Sequence, residues 1–175
     1  MVLAGPIGVM AVHGGVERHT ARIASRIAEA TGSSLYRVVQ PPDLAWHIPS
    51  TAHDPSESPR LAAFLAHVST VVSLHGFGRP GLHRSVLVGG RNRVLGGEIA
   101  ASLRSHTTLD VVDDRDAIPA GLRGWHPSNP VNLPEMAGVQ LELPPSARVA
   151  PHVEAVVASV VSVFDLAMSR RSNRP

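Results

Sequence analysis

Two histidines stand where an apolar, strand-like run gives way to glycine. His13 is followed by two glycines, and His75 is followed by Gly76. Glycine lets the chain turn sharply after a strand, so that the preceding side chain can face an ion. Imidazole and carboxylate are ordinary ligands of a catalytic zinc, which takes three protein ligands and leaves a fourth position for water. The sequence therefore predicts a metal site made of His13, Glu17 and His75.

A carboxylate in a third apolar phrase suggests a base for such a site. Glu142 lies among strand-forming residues in 138–143, where an ionised group is costly unless a cation or a hydrogen-bond donor faces it. We interpret Glu142 as a general base. Two structural alternatives stay open: Glu142 pairs with an arginine such as Arg148, and Glu17 is an acidic residue favoured by the dipole of a first helical turn.

The composition is that of one globular domain with an aliphatic core. The chain has 175 residues, of which 43% are hydrophobic and 3% aromatic, and no charged or Pro/Ser-rich run divides it. We expect a single hydrolase-like domain over residues 1–169 and a flexible, arginine-rich tail over 170–175. The absence of cysteine excludes disulfides, thiolate zinc sites and cysteine nucleophiles.

The charge pattern argues against a nucleic-acid partner. All 16 cationic residues are arginine, the formal net charge is only +2, and the arginines are scattered except for the cluster in the tail. A nucleic-acid-binding protein typically gathers its cations in a stripe with aromatic residues. The glycine pairs do not fit a P-loop or a dinucleotide-binding loop, and no serine nucleophile elbow is present.

Two apolar segments are better explained by the core than by a membrane or a leader. Residues 1–12 lack a positively charged start and run directly into His13. Residues 152–169 are short for a bilayer span and contain Glu154 and Asp165. We expect no membrane partner, and a protein that is cytoplasmic or released without a signal peptide. The sequence indicates no oligomeric state.

Apolar strands alternate with helical patterns along the chain. We predict strands at 7–12, 34–39, 70–74, 85–88, 107–112 and 139–143, and helices at 17–30, 61–68, 94–103 and 152–169. Long loops at 40–60 and 113–134 lie between them. This pattern predicts an α/β fold of three layers, in which helices cover both faces of a mixed, mostly parallel sheet. Ligands of such sheets collect beyond the carboxyl ends of the strands, where His13 and His75 fall.

Several phrases resemble the poly-gamma-glutamate hydrolases of bacteriophages and bacilli, which are similar to compact zinc carboxypeptidases. The resemblance covers most of the chain. It is carried by the His-Gly-Gly phrase ending in Glu17, the Trp-His-Ile-Pro-Ser loop at 46–50, Ser-Leu-His-Gly at 73–76, and the strands at 86–90 and 138–143. Three residues separate His13 from Glu17, one fewer than the family usually shows.

The resemblance implies a zinc-dependent amide hydrolase that acts on gamma-glutamyl bonds of an anionic polyglutamate or a small peptide. One zinc per chain would be held by His13, Glu17 and His75, and Glu142 would activate water. Because an arginine fork matches a carboxylate or an oxyanion, we predict Arg91 as a catalytic residue. Substrate-binding roles are predicted for Arg79, His47 and Asn132.

Two other functions are compatible with the sequence. One is a zinc-dependent cell-wall amidase of the N-acetylmuramoyl-L-alanine type, whose acidic ligand comes later in the first helical region, where Glu29 is the candidate. The other is a non-catalytic binding protein, either a phage-related nucleic-acid factor that uses the arginines or an inactivated hydrolase that retains only the fold.

Overall fold

A mixed six-stranded sheet organises the molecule, as seen in a computed structural model that describes residues 1–44 and 46–172. The strands are β1 (Gly5–Ala11), β2 (Ser33–Arg37), β3 (Thr70–Gly76), β4 (Ser85–Gly89), β5 (Asp110–Val112) and β6 (Gly138–Leu143). The helices are α1 (Thr20–Thr31), α2 (Pro59–His67), α3 (Arg93–His106) and α4 (His152–Ser172). The strand order is β2-β1-β3-β6-β4-β5, and every pair is parallel except β4 with β6. The predicted α/β class with a mostly parallel sheet is confirmed.

The two faces of the sheet are covered differently. On one face, alternate residues of β1, β3, β4 and β6 pack with α1, α3 and α4 in one large aliphatic cluster. On the other face, α2 packs against Met10, Val12 and Val71, and Phe77, Leu87 and Ile118 form a smaller cluster. Loops cover the rest of this second face. A side chain that points to the second face near the strand ends can therefore reach an open cavity.

Local capping signals fix several helix ends. Gly32 ends α1 in the left-handed conformation, with φ of 63° and its N–H donated to the Ala28 carbonyl. The Ser58 hydroxyl accepts the Leu61 N–H at the start of α2, with Pro59 in the first position. The observed end of α1 at Thr31 and start of α2 at Pro59 lie within two residues of the predicted boundaries at 30 and 61.

The start of α1 differs from the prediction. The helix predicted from residue 17 begins at Thr20, because His19 adopts a left-handed backbone with φ of 73° and interrupts the helical path. Glu17 therefore precedes the helix. The explanation of Glu17 as a first-turn acid of this helix is wrong, since the first turn contains no acidic residue.

The last helix, α4, extends into the segment 170–175 that was expected to be a flexible tail. Its backbone continues to Ser172, and residues 173–175 lie outside the described residues. No helix in the described part of the chain is both long enough and apolar enough to cross a bilayer.

Phe64 packs α2 against the sheet. It is completely buried, and its ring centroid lies 5.6 Å from that of Tyr36. A Cβ on Gly8 would stand 2.7 Å from the Phe64 ring, so the glycine in β1 makes room for it. We expect Phe64→Ala to lower the free energy of unfolding by about 3–5 kcal/mol, measured as a lower urea midpoint at unchanged slope. Phe64→Leu keeps more of the volume and should lose less; equal losses would contradict this packing.

Candidate functional site

A cavity of about 480 Å³ opens at the carboxyl ends of β1, β3 and β6, on the face that loops cover. Its floor is made of side chains that leave these strands, and its walls come from the segments around residues 47–51 and 120–129. The polar residues among its lining are His13, Glu17, His47, Ser50, Thr51, His75, His126, Asn129, Gln140 and Glu142. Four of the residues predicted from the sequence to form the metal site and the base therefore share one cavity.

His13 and Glu17 are held on the same side of a single helical turn. The Glu17 N–H donates to the His13 carbonyl at 2.7 Å, as in an α-helical turn of four residues. This spacing brings the His13 Nδ1 to 2.9 Å from the Glu17 Oε1. Both side chains are buried. Three intervening residues are therefore enough to place the two side chains together.

His75 reaches the same point from the neighbouring strand. Its Nδ1 lies 3.1 Å from the Nδ1 of His13 and 3.5 Å from the Glu17 Oε2. The Glu17 Oε2 also accepts the Gly76 N–H at 2.8 Å. The Ser73 hydroxyl lies 3.0 Å from the His75 Nε2, on the far side of the ring. The three residues predicted to bind metal thus converge on one small volume.

The tautomer of His13 indicates that a cation or a proton belongs between these ligand atoms. Its Nε2 lies 2.7 Å from the Ile48 carbonyl, which can only accept, so Nε2 carries the proton. In the neutral ring the Nδ1 then presents a lone pair toward another lone-pair donor, the Glu17 carboxylate. Two such groups repel unless a cation or a proton stands between them. Tetrahedral ligands of zinc lie roughly 3.3 Å apart, close to the observed separations of 2.9–3.5 Å.

A third histidine approaches from the loop after β2. The Nε2 of His47 lies 3.4 Å from the Glu17 Oε1, and its ring centroid is 4.2 Å from that of His13. Ligand atoms of His13, Glu17 and His47 all lie within 4.8 Å of one another, a grouping that suits a metal ion. The His47 side chain is 60% exposed. It can therefore complete a metal site or contact a substrate from the open side.

Charge coupling in the cavity shifts the pKa values of two buried groups. Burial acts to raise the pKa of Glu17. When a proton rather than a cation lies between Glu17 and the histidines, hydrogen bonds and positive charges from His13 and His75 outweigh burial and lower that pKa to about 2. Burial acts to lower the pKa of His75, but the hydrogen bond to Glu17 and the charges of Glu142 and Glu17 raise it overall. Glu17 is thus an ionised carboxylate near neutral pH, the form in which it can bind a cation.

Glu142 stands beside His75 in the register of β3 and β6. A chain of buried hydrogen bonds holds it: the Asn129 amide donates to the Gln140 Oε1 at 2.9 Å, and the Gln140 amide donates to the Glu142 Oε1 at 2.8 Å. Burial raises the pKa of Glu142, although the positive charge of His75 opposes this effect. A carboxylate with a raised pKa is a better proton acceptor than an ordinary one.

The alternative of an Arg148–Glu142 ion pair does not match the contacts. Arg148 donates from Nη1 to the Arg18 carbonyl at 2.9 Å and from Nε to the Pro144 carbonyl at 3.4 Å. Within the described part of the chain it makes no ion pair, although the charges of Glu17 and Glu142 act on it. Arg148 therefore stands next to the site without binding either carboxylate directly.

Three of the predicted residues lie outside the cavity lining. Arg79 and Arg91 are exposed, and neither contributes to the cavity wall. The Asn132 amide donates to the Gly124 and His126 carbonyls at 2.7 and 3.0 Å, and its Oδ1 accepts the Arg91 N–H. Asn132 thus braces the loop that carries the cavity wall. The catalytic and substrate-binding roles of these three residues stay predictions. Glu29, the acidic candidate of the amidase alternative, is exposed on α1 and also lies outside this cavity.

Sequence reasoning missed Ser73 and Gln140, which support the site. The signal was present as alternation, since Ser73 and His75 share one face of β3, and Gln140 and Glu142 share one face of β6. The register then places Ser73 opposite Gln140 and His75 opposite Glu142. Polar residues at every second position in two apolar strands thus mark the strands that form the floor of a site.

Comparison with known proteins places this chain in a hydrolase family. The poly-gamma-glutamate hydrolase family model matches residues 3–155. Among solved structures, a bacteriophage poly-gamma-glutamate hydrolase is similar, with a TM-score of 0.76, 23% identity and coverage of 96% of this chain and 87% of that chain. YNDL in its zinc-free apo form has a TM-score of 0.75 at 20% identity, covering 95% of this chain and 90% of that one.

A more distant similarity extends to cell-wall amidases. The N-acetylmuramoyl-L-alanine amidase AmiC2 of Nostoc punctiforme has a TM-score of 0.56 at 8% identity, and the match covers 95% of this chain and 99% of that chain. The comparison with curated proteins gave no match. The structural similarities show a shared fold, whereas the family model extends over most of the sequence. The chain therefore belongs to the poly-gamma-glutamate hydrolase family.

Proposed function

We propose that this protein is a zinc-dependent amide hydrolase that cleaves gamma-glutamyl amide bonds. The observation that carries the proposal is the convergence of the His13 Nδ1, the His75 Nδ1 and the Glu17 carboxylate on one small volume beside a buried Glu142. Membership of the poly-gamma-glutamate hydrolase family supports both the reaction and the substrate class.

We assign His13, Glu17 and His75 as the residues that hold one zinc ion. Two imidazoles and one carboxylate, with a further position left open, form a donor set typical of catalytic zinc. The Ile48 carbonyl fixes the His13 tautomer so that Nδ1 is free to bind. A zinc ion bound there supplies a Lewis acid and lowers the pKa of water toward neutrality. His47, which faces the same carboxylate, is assigned to the substrate side because of its exposure.

Glu142 performs the proton transfers in the proposed mechanism. Its carboxylate takes a proton from the attacking water as the oxygen bonds to the amide carbon. It then gives this proton to the leaving nitrogen as the carbon–nitrogen bond breaks, which regenerates the carboxylate. The Gln140 amide holds the Oε1, so we assign the Oε2 as the proton acceptor. The chain of hydrogen bonds from Asn129 keeps this oxygen in one orientation.

Digestion of two purified polymers tests the substrate class. We expect the protein to shorten poly-gamma-glutamate, with new amino termini appearing in proportion to the loss of polymer length. Peptidoglycan incubated in parallel should release no soluble muropeptides, because Glu29, the acid expected of an amidase, is exposed outside the cavity. Release of muropeptides with intact poly-gamma-glutamate would overturn the proposal in favour of the amidase. If neither polymer is cleaved, the non-catalytic alternative is favoured.

A further inference from the structure

Arginines that are far apart in the sequence come together on the surface next to the candidate active site. Arg22 and Arg26 lie on the outer side of α1, Arg37 lies at the end of β2, and Arg148 follows β6. The sequence suggested scattered arginines, because their grouping depends on the tertiary fold. We call this surface, made of these four arginines and His19, the arginine face.

The arginine face is concave. A cavity of about 290 Å³ lies between α1 and the start of α4, and a second of about 470 Å³ lies between α1 and β2. His19, Arg22 and Arg26 line both cavities, so α1 forms a ridge between them. The left-handed backbone of His19 turns the chain just before the ridge begins at Thr20.

Arg148 connects the arginine face to the catalytic cavity. Arg148 lines the smaller of the two cavities. Its guanidinium packs against Gly76, where a Cβ would stand 2.7 Å from the Nη1. Gly76 itself lines the catalytic cavity, and its N–H binds Glu17. Arg148 thus lies between the arginine face and the catalytic cavity. The charges of Glu17 and Glu142, on the cavity side, act on its guanidinium.

The arginine face has more positive than negative groups. Two glutamates, Glu29 and Glu154, also line it. Glu154 forms a bidentate salt bridge with Arg26, with N–O distances of 2.6 and 3.0 Å. Arg22, Arg37 and Arg148 make no ion pair in the part of the chain that the structure describes. Arg37 donates to the Ser25 hydroxyl at 3.0 Å, Arg148 donates to two backbone carbonyls, and the charge of Arg22 acts on Glu154. The hydroxyl and carbonyl partners leave the charges of Arg37 and Arg148 uncompensated, so the face can still attract an anionic ligand.

We propose that the arginine face binds successive carboxylates of a gamma-glutamyl polymer whose scissile bond lies in the catalytic cavity. This inference rests on the proposed function and extends it to a binding surface for the polymer outside the catalytic cavity. Each residue of such a polymer carries one free carboxylate, and the arginine fork matches carboxylate geometry. Two concave segments on either side of α1 give a flexible chain room to follow the ridge.

Binding of a gamma-glutamyl decamer with a fluorescent label tests the inference directly. The protein carries Glu142→Gln so that the decamer stays intact, and Arg22→Gln and Arg37→Gln are added singly and together. We expect each change to raise the Kd of the decamer roughly threefold, and the pair to raise it roughly tenfold. Arg60→Gln is the matched control, since Arg60 is exposed on α2 at the opposite face, and it should leave the Kd unchanged.

Kinetics on substrates of two lengths separate this inference from the proposed function. With Glu142 intact, Arg22→Gln with Arg37→Gln should raise the KM for the decamer several times more than the KM for a gamma-glutamyl dimer. If both substrates are hydrolysed and the KM rises equally for the decamer and the dimer, the arginine face does not bind the polymer. The proposed function is then unaffected. Absence of hydrolysis overturns the proposed function, and the Kd measurement still decides whether the surface binds the polymer. Equal competition by duplex DNA would identify a non-specific polyanion surface and overturn the inference.

Discussion

Glu142→Gln is expected to lower kcat/KM for poly-gamma-glutamate by about 10²–10⁴-fold while the protein keeps its metal. The amide has nearly the same size and can still contact Gln140, which donates to the Oε1 of Glu142 at 2.8 Å. It cannot accept a proton from water, so the contribution of general base catalysis is lost. Initial rates at several polymer concentrations measure the loss, and elemental analysis of the same sample measures the metal.

A matched control separates the loss of the base from a loss of charge. Glu135 is an exposed glutamate in the loop before β6 and lies outside the cavity lining. Glu135→Gln makes the same chemical change and should keep the activity of the unaltered protein. If Glu142→Gln retained more than a tenth of the activity, another group would be the base and the assignment of Glu142 would be wrong.

The strands and the residues on their ends could be predicted because they depend on local patterns. The apolar runs before His13 and around His75 specify buried strands, and the parallel order brings their carboxyl ends to one edge. Glu17 follows from the same logic, since one helical turn after His13 fixes its place. Patterns of this kind are short-range and therefore visible in one sequence.

Other contacts of the site depend on long-range packing. His47 belongs to a loop without periodicity, so only the family resemblance indicated its role, and the 4.2 Å approach of its ring to that of His13 could not be predicted. Arg148 reaches Gly76 only because β6 lies beside β3 and the chain turns back after Leu143. Arg79 and Arg91 were predicted from their closeness in sequence to glycine turns, and neither is among the residues that line the cavity, so their roles stay predictions.

Replacing His75 by alanine is expected to remove the metal and, with it, part of the stability of the protein. The His75 Nδ1 lies 3.1 Å from that of His13, and the ring is almost fully buried, so a ligand lost here cannot be replaced by a surface group. A metal that binds only the folded state at about 1,000 times its Kd stabilises it by about 4 kcal/mol. Thermal melts with and without a chelator should therefore differ strongly for the unaltered protein and not at all for His75→Ala.

Two further histidine variants decide which ring is the third ligand. His47→Ala removes the exposed ring that faces Glu17 at 3.4 Å, and we expect it to retain the metal and its chelator-sensitive melt. His83→Ala, in an exposed turn before β4, controls for the loss of a histidine elsewhere. If His47→Ala lost the metal while His75→Ala kept it, the ligand set would be His13, Glu17 and His47. An unaltered protein without metal, with a melt that no chelator changes, would remove the basis for any metal chemistry at this site, because the lone pairs on His13 and Glu17 would then have to be separated by a proton.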